Sequence, residues 1–163
     1  TEDASYLAGL QKVLPPALEA FKPDLIVLQA GADMHRYDPL SHLNLSVQGI
    51  VESYRLVSGL ADTFCGGRLV ALGGGGYDPY RTVPRLWTFL WAVLSRQALP
   101  EAIPGAWRQQ WEGQLGVTLP ERFLDDVDRW PPTPRRGDIE RANAATAEKL
   151  LATVGPIWRE CGL

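Results

Sequence analysis

Two short apolar runs, separated by a stretch of helix length, constrain the fold of this 163-residue chain more than any other feature. Residues 25–28 (LIVL) and 68–72 (RLVAL) are rich in branched side chains and bounded by Pro or Gly, which is typical of strands covered on both faces. The pattern between them predicts a helix over residues 47–64, with Ser46 as its cap. Strand, helix and strand at this spacing predict a right-handed crossover between two parallel strands.

The rest of the chain has mainly helical periodicity. Residues 2–21 predict an amphipathic helix that Thr1 caps and that Pro15 and Pro16 kink or divide. Asp138 is predicted to cap the last helix. The helices predicted after the second strand span residues 80–99, 107–115, 120–130 and 139–161.

Two strands alone make an implausible sheet. Parallel strands of this apolar kind normally lie inside a larger sheet with helices on both faces, and a two-stranded sheet would leave unpaired backbone edges. The predicted fold class is therefore α/β, a three-layer αβα arrangement with a parallel sheet that is incomplete here. We interpret residues 1–163 as the C-terminal portion of a single domain, with a strand–helix–strand core over about 24–76 and a helical remainder over 80–163.

Composition excludes several classes of function. The formal net charge of −3, without a basic stripe, argues against a nucleic-acid partner. No apolar run reaches the length of a membrane span and no signal peptide opens the chain, so we expect a cytoplasmic protein without a membrane partner. Cys65 and Cys161 have no metal-ligand spacing and are interpreted as reduced thiols.

The expected site lies at the carboxyl ends of the two strands, where open parallel sheets bind their ligands. Residues 30–33 (AGAD) and 73–77 (GGGGY) emerge there, and neighbouring strands are close enough for both loops to border one pocket. Asp33 has two interpretations of equal weight: an oxygen ligand to a divalent metal, or a carboxylate that caps a turn.

The four glycines before Tyr77 allow three interpretations. A phosphate cradle is disfavoured, because the P-loop ending and the GxGxxG pattern are both absent. A plain loop remains, as does a backbone that passes close to a substrate while Tyr77 donates a hydrogen bond to a developing oxyanion. His35 has an Asp-x-His spacing with Asp33 but is expected to be an exposed loop residue rather than a ligand, and so is His42. The expected role of Trp87, Trp91, Trp107 and Trp111 is core and interface packing.

Several of these stretches together resemble one known family. Residues 21–33 (FKPDLIVLQAGAD) resemble the strand and metal-aspartate segment of histone deacetylases, and residues 38–40 and 43–46 continue the match. Residues 72–77 (LGGGGY) resemble the glycine-rich tyrosine loop of that family, and residues 85–88 its following helix. Residues 78–81 (DPYR) look most like bacterial acetoin-utilisation proteins. The resemblance covers about residues 1–95 and implies an arginase/deacetylase-like fold.

The resemblance also implies roles. Asp33 matches the second aspartate ligand of the catalytic zinc, for which iron is an alternative, and Tyr77 matches the tyrosine that polarises the acetyl carbonyl. Gly75 and Gly76 match the glycines of the acyl-lysine tunnel, and Leu40 matches an apolar pocket residue. The same correspondence implies that His35 is not a ligand.

The departures from the family matter equally. Its histidine pair and its Asp-x-His zinc ligands do not occur in this sequence, and one carboxylate cannot hold a catalytic zinc. We expect this chain to be inactive alone and to need a missing N-terminal portion of the same domain. The leading hypothesis is zinc-dependent hydrolysis of an acetylated small molecule or an acetyl-lysine protein; the alternative is a non-catalytic module that binds acyl or amine ligands.

Overall fold

The computed structural model describes the backbone of residues 1–160 and the side chains of residues 1–158. Cys161 and the prediction made for its thiol lie outside the described residues. Within these limits the helices and strands, in chain order, are α1 (Asp3–Phe21), β1 (Ile26–Gln29), α2 (Val47–Cys65), β2 (Leu69–Leu72), α3 (Val83–Ser95), α4 (Gly105–Leu115), a single 3₁₀ turn (Val127–Arg129) and α5 (Arg136–Glu160).

The two strands form the predicted parallel pair. Ile26 lies opposite Leu69 and Gln29 lies opposite Leu72, with α2 as the connection. The ladder continues past β1, because the amide of Ala30 donates to the carbonyl of Leu72 over 2.8 Å. The parallel strand pair with a helical connection, predicted from the two apolar runs, is therefore confirmed.

Helix α2 begins and ends as its sequence predicts. The Ser46 hydroxyl accepts a hydrogen bond from the Gly49 amide at 3.0 Å, which satisfies one of the free amides of the first turn. Gly66 ends the helix in the left-handed conformation, at φ 59°, and returns its amide to the Ala61 carbonyl. Both ends of the crossover helix are thus set by local chemistry.

The core lies between α2, α3 and one face of the sheet. Leu86 and Ile50 are fully buried there, and Leu28 and Ala71 pack against the same cluster. Successive side chains of a strand point to opposite faces, so Val27 lies on the other face, where it is 58% exposed. Val70 and Leu72 on β2 are exposed in the same way. Among the described residues only one face is covered, which agrees with the prediction of a sheet that is incomplete here, and cover of the second face stays a prediction.

Helix α1 departs from its prediction. It is continuous although it contains Pro15 and Pro16, and Glu2 rather than Thr1 occupies the N-cap position, without a side-chain hydrogen bond. The helix packs against both α2 and α5, and tertiary packing of this kind outweighs the local cost of two missing amide donors.

The helices after β2 also differ in extent from their predictions. Helix α3 is shorter than residues 80–99 because Arg96 adopts the left-handed conformation and ends it. The helix predicted over residues 120–130 is wrong, since Phe123 and the Ile103 amide take part in antiparallel hydrogen bonds with Glu101 and Glu121. Asp138 lies inside the first turn of α5 and does not cap it.

The tryptophans are less buried than expected. Trp87 is 41% exposed and Trp91 is 59% exposed, so neither is a core residue among the described residues, and Trp107 and Trp111 are also partly exposed. Packing of these side chains at an interface stays a prediction. Trp87 nevertheless has a defined place, since its indole N–H donates to the Ala30 carbonyl at 3.0 Å. Across residues 1–160, no helix is both long and apolar enough to cross a membrane.

Candidate functional site

The loops that follow β1 and β2 form one unit at the carboxyl edge of the sheet. The Ala32 amide donates to the Gly75 carbonyl at 2.6 Å, which holds the two backbones together. A Cβ atom on Gly75 would lie 2.3 Å from Oδ2 of Asp33, and one on Gly31 would lie 2.6 Å from Oδ1. Glycine at both positions therefore makes the space that the Asp33 carboxylate occupies.

Asp33 lines a cleft of about 490 Å³. The walls of the cleft are mostly apolar side chains of α1, β1 and α2, and Gly31 and Gly75 lie beside the carboxylate. No described residue donates a hydrogen bond to the Asp33 side chain, although it is partly buried. A partly buried carboxylate with both oxygens free is suited to a cation or to a hydrogen-bond donor. The other lining residues are Tyr6, Leu10, Leu14, Leu18, Ile26, Val27, Leu28, Gln29, Met34, Ser53, Tyr54, Val57 and Leu60.

A complete metal site is not formed by the residues described. No group of three or more His, Cys, Asp or Glu side chains in that part of the chain is arranged to hold a metal ion. A catalytic zinc needs three protein ligands and an open position. Asp33 fits the role of one oxygen donor, and the chain described here does not fit the role of the whole site.

Three of the other predicted site residues, Tyr77, Leu40 and Gly76, lie outside the cleft. Tyr77 is 51% exposed and Leu40 is 64% exposed, and neither lines the cleft that contains Asp33 in the described part of the chain. Gly76 packs inside the protein, because a Cβ atom there would lie 2.6 Å from Cγ2 of Val83. The structure thus brings Asp33 and Gly75 together, and the convergence of Asp33 and Tyr77 on one substrate stays a prediction.

The glycine run is explained first by packing within the chain. A Cβ on Gly73 would lie 3.1 Å from the ring of Trp87, and one on Gly74 would lie 2.9 Å from the Cα of Gly31. Each position is therefore closed to a larger side chain by a neighbour in this chain. The run is a loop whose glycines permit close approach of a second loop and a helix, and its interpretation as a backbone that lines a substrate stays a prediction.

Asp38 connects the first loop to Tyr77. The residue is 6% exposed, and its carboxylate accepts hydrogen bonds from the amides of Leu40 at 2.9 Å, Ser41 at 3.0 Å and Tyr77 at 2.8 Å. Burial by itself raises the pKa of Asp38, but these amide donors outweigh it and hold the pKa below its ordinary value. The charged carboxylate thus anchors the backbone from which the phenol of Tyr77 projects.

His35 is a buried structural residue, and the expectation of an exposed loop histidine is wrong. It has no exposed surface, and its Nε2 lies 2.9 Å from Oδ2 of Asp125. The amide of Tyr37 donates to Nδ1 at 3.3 Å, so Nε2 is the nitrogen that carries a proton toward Asp125. Both ring nitrogens are engaged inside the protein, in agreement with the inference that His35 is not a metal ligand.

Asp125 is the residue that sequence reasoning missed. Its carboxylate accepts from His35, from the amide of Val47 at 2.7 Å and from the guanidinium of Arg85 at 2.8 Å. Burial raises its pKa, but the His35 hydrogen bond and the charge of Arg85 outweigh this and lower the pKa to about 2. Asp125 lies more than 75 residues from His35 and Val47 in sequence, and no local pattern signals such a contact.

The long loop after Asp33 is closed at its base. His35 and Leu45 form an isolated parallel bridge, in which the Arg36 amide donates to the Leu45 carbonyl and the Leu45 amide donates to the Met34 carbonyl. The loop therefore leaves and re-enters the fold at one narrow neck. Asp33 lies on the inner side of that neck, ahead of Met34 in the chain.

Comparisons with known proteins point to one family. Residues 1–94 match the family described as Histone deacetylase domain. The acetoin utilization protein AcuC of Bacillus subtilis (strain 168) is 40% identical over 154 residues, which cover 94% of this chain and 40% of that protein. The protein of the same name from Staphylococcus xylosus is 35% identical over 153 residues, which cover 93% of this chain and 40% of that protein. The chain thus spans about 40% of the length of these curated relatives.

Solved structures give the same result for the fold. The crystal structure of an HDAC homolog complexed with SAHA superimposes with a TM-score of 0.66 at 25% identity, over 89% of this chain and 39% of that chain. An HDAC homolog from Aquifex aeolicus superimposes with a TM-score of 0.61 at 24% identity, over the same shares of the two chains. The α/β fold class predicted from the strand pattern is therefore confirmed.

Proposed function

Because the chain belongs to the histone deacetylase domain family, we propose that the protein at its full natural length hydrolyses the amide bond of an acetylated amine with the help of a metal ion. The substrate classes that fit are an acetylated small molecule, such as an acetylpolyamine, and an acetyl-lysine protein. The remaining metal ligands and the general base come, in this proposal, from parts of the domain outside residues 1–163.

One observation carries the proposal: the Asp33 carboxylate lies in a cleft, free of hydrogen bonds from the described residues, in a space cleared by Gly31 and Gly75. A carboxylate that only capped a turn would accept hydrogen bonds from nearby amides, as Asp38 does. Of the two interpretations open at the sequence level, this contrast favours the ligand.

The metal in the proposal is zinc, with iron(II) as the alternative that the same oxygen donor accepts. When bound, such an ion lowers the pKa of a water molecule and polarises a carbonyl group. Asp33 contributes one oxygen ligand, and the Gly75 backbone beside it keeps side chains away from that oxygen.

Tyr77 has the second role in the proposal. Attack on an amide carbonyl leaves negative charge on its oxygen, and a phenolic O–H held in place donates a hydrogen bond that stabilises this charge. The half-exposed phenol on a fixed backbone is suited to meeting a substrate that arrives from solvent. Gly75, Gly76 and Leu40 are proposed to line the path of the acyl chain.

The first test replaces Tyr77 in the natural-length protein. We expect Tyr77→Phe to lower kcat on an acetyl-lysine peptide by about 10²–10³-fold, since one oxyanion donor is lost, while the metal content is unchanged. Tyr80→Phe is the matched control, because Tyr80 is an exposed tyrosine three residues away. Undiminished turnover in Tyr77→Phe would remove Tyr77 from the mechanism.

The second test replaces Asp33. We expect Asp33→Asn to reduce bound zinc, measured by elemental analysis after dialysis, because a neutral amide is a poorer metal ligand than a carboxylate. Asp24→Asn is the control, since Asp24 is an exposed carboxylate just before the same strand. Equal zinc in both variants would reject the ligand role.

If the metal-loaded protein bound acetyl-lysine peptides without hydrolysing them, the binding module would replace the enzyme as the function.

A further inference from the structure

Asp38 holds a position that the proposed chemistry does not by itself explain. It is almost fully buried, yet its carboxylate is divided between two loops. Oδ1 accepts from the amides of Leu40 and Ser41 within its own turn, whereas Oδ2 accepts from the amide of Tyr77, 39 residues away in sequence. A turn cap uses the first set of contacts only, so the bond to Tyr77 calls for another explanation.

The backbone around Tyr77 is anchored on both sides. Two residues before it, the Gly75 carbonyl accepts from Ala32. Immediately after it, Asp78 is 5% exposed and bonds with its side chain to the amide of Arg81 and the hydroxyl of Thr82. Between these anchors, the amide of Tyr77 itself is held by Asp38 alone among the described residues. The phenol stays half exposed and has no hydrogen-bond partner among those residues.

We infer that Asp38 is the positioning residue of Tyr77: through its hydrogen bond to the Tyr77 amide it holds the phenol at the place where the acetyl oxygen arrives. This inference rests on the proposed function for its catalytic consequence. A hydroxyl that donates to a transition state must be held within a few tenths of an ångström, and a buried, charged acceptor on its own backbone provides that restraint. Asp38 touches no reacting atom and acts only through Tyr77.

The loop bond has a direct measurement that does not depend on activity. In Asp38→Asn one side-chain oxygen becomes an NH₂ group, so the variant cannot accept at both positions. Hydrogen exchange of the peptide over residues 73–80, followed by mass spectrometry of the natural-length protein, should show the Tyr77 amide exchanging at least about 10-fold faster than in the unaltered protein. Asp24→Asn is the control and should leave that exchange unchanged. Since the remaining oxygen of Asn can still face Tyr77, unchanged exchange in both Asp38→Asn and the shorter Asp38→Ser would overturn the inference.

A double-mutant cycle tests the catalytic consequence. When Tyr77 is present, Asp38→Asn should lower kcat by about 10-fold with little change in KM. In the Tyr77→Phe background, the same substitution should lower kcat by less than about 2-fold, because the hydroxyl that Asp38 positions is then absent. Equal losses in the two backgrounds would mean that Asp38 acts on folding or on its own turn, and would overturn the positioning role.

A second variant separates loss of the hydrogen bond to Tyr77 from misfolding. Asp38→Ser keeps a hydroxyl that can accept from the amides of Leu40 and Ser41 but is too short to reach Tyr77 as well. It should show the same exchange and kcat changes as Asp38→Asn, with the melting temperature close to that of the unaltered protein. Full activity of Tyr77→Phe together with fast exchange in both Asp38 variants would reject the proposed role of Tyr77 while the anchor itself stands.

Discussion

Two regions of this molecule differ in how much of their structure the family motifs cover. The motif region, residues 26–94, holds both strands, the glycine loop and most of the core, and α2 alone contributes nine buried residues. The C-terminal region, residues 96–160, is mainly helical, and α4 buries none of its residues. The family match ends at residue 94, at the boundary between the two. The family match therefore covers the first region and stops short of the second.

The contacts do not respect that boundary. Asp125 belongs to the C-terminal region, yet it bonds to His35 in the loop after β1, to the first amide of α2 and to Arg85 of α3. Phe123 packs on Phe89 in the same core, with ring centroids 5.8 Å apart. The comparison teaches that a region can lie outside the recognisable motifs and still determine where the motif residues stand.

The first prediction tests whether the C-terminal region stabilises the motif region. Asp125→Ala should lower the free energy of unfolding of the natural-length protein by about 3–5 kcal/mol, because it leaves the buried guanidinium of Arg85 without its anion. Urea denaturation followed by fluorescence measures this loss. The adjacent Asp126→Ala is the control: its side chain is 58% exposed in a surface pair with Arg129, and it should cost less than about 1 kcal/mol. Similar small losses in both variants would show that the C-terminal region is energetically independent of the motif region.

The next prediction concerns acid. The folded protein lowers the pKa of Asp125 to about 2 from an ordinary 3.8, so the charged carboxylate contributes stability that is present above about pH 4 and is lost as the pH falls through about 2. The difference corresponds to about 2 kcal/mol. Urea midpoints between about pH 5 and pH 2 should fall further in the unaltered protein than in Asp125→Asn, which cannot titrate there. Parallel curves would contradict the assignment of the acid-sensitive contact to Asp125.

The smallest effects are expected from one glycine-to-alanine substitution in each region. Gly113 lies within α4 with no atom within 4 Å of a Cβ, so Gly113→Ala should raise the free energy of unfolding by about 0.5–1 kcal/mol. Gly75→Ala should instead reduce the metal content of the natural-length protein, because the new Cβ would displace the Asp33 carboxylate. Thermal melting and elemental analysis measure the two outcomes. Normal metal content in Gly75→Ala would contradict the close packing of that loop.

Local patterns were enough to predict the parallel strand pair and α2. The branched apolar runs, the Ser46 cap and the terminal Gly66 each act over a few residues, and each is found where the sequence places it. The same local reasoning predicted that two prolines kink or divide α1, and division was wrong because packing on α2 and α5 keeps the helix continuous.

The candidate site shows the same limit. The position of Asp33 at the end of β1 follows from strand order, but its neighbours do not, since Gly75 and Asp33 meet only through the sheet. His35 was expected in solvent because a lone histidine in a loop after a strand is usually exposed. Its partner, Asp125, is 90 residues away, and only the folded chain brings them together.

The bridge between His35 and Leu45 has a consequence for how this loop can change. Backbone hydrogen bonds close the neck of the loop, so insertions beyond it, around Pro39 to Leu43, need not shift Asp33. Each doubling of the loop length costs only about 0.6 kcal/mol of loop-closure entropy. Asp38 is the exception, because it stands on the loop and reaches across to Tyr77. Insertions after Ser41 should therefore be tolerated, and the distance along the chain from Asp33 to Asp38 should be the one that cannot vary.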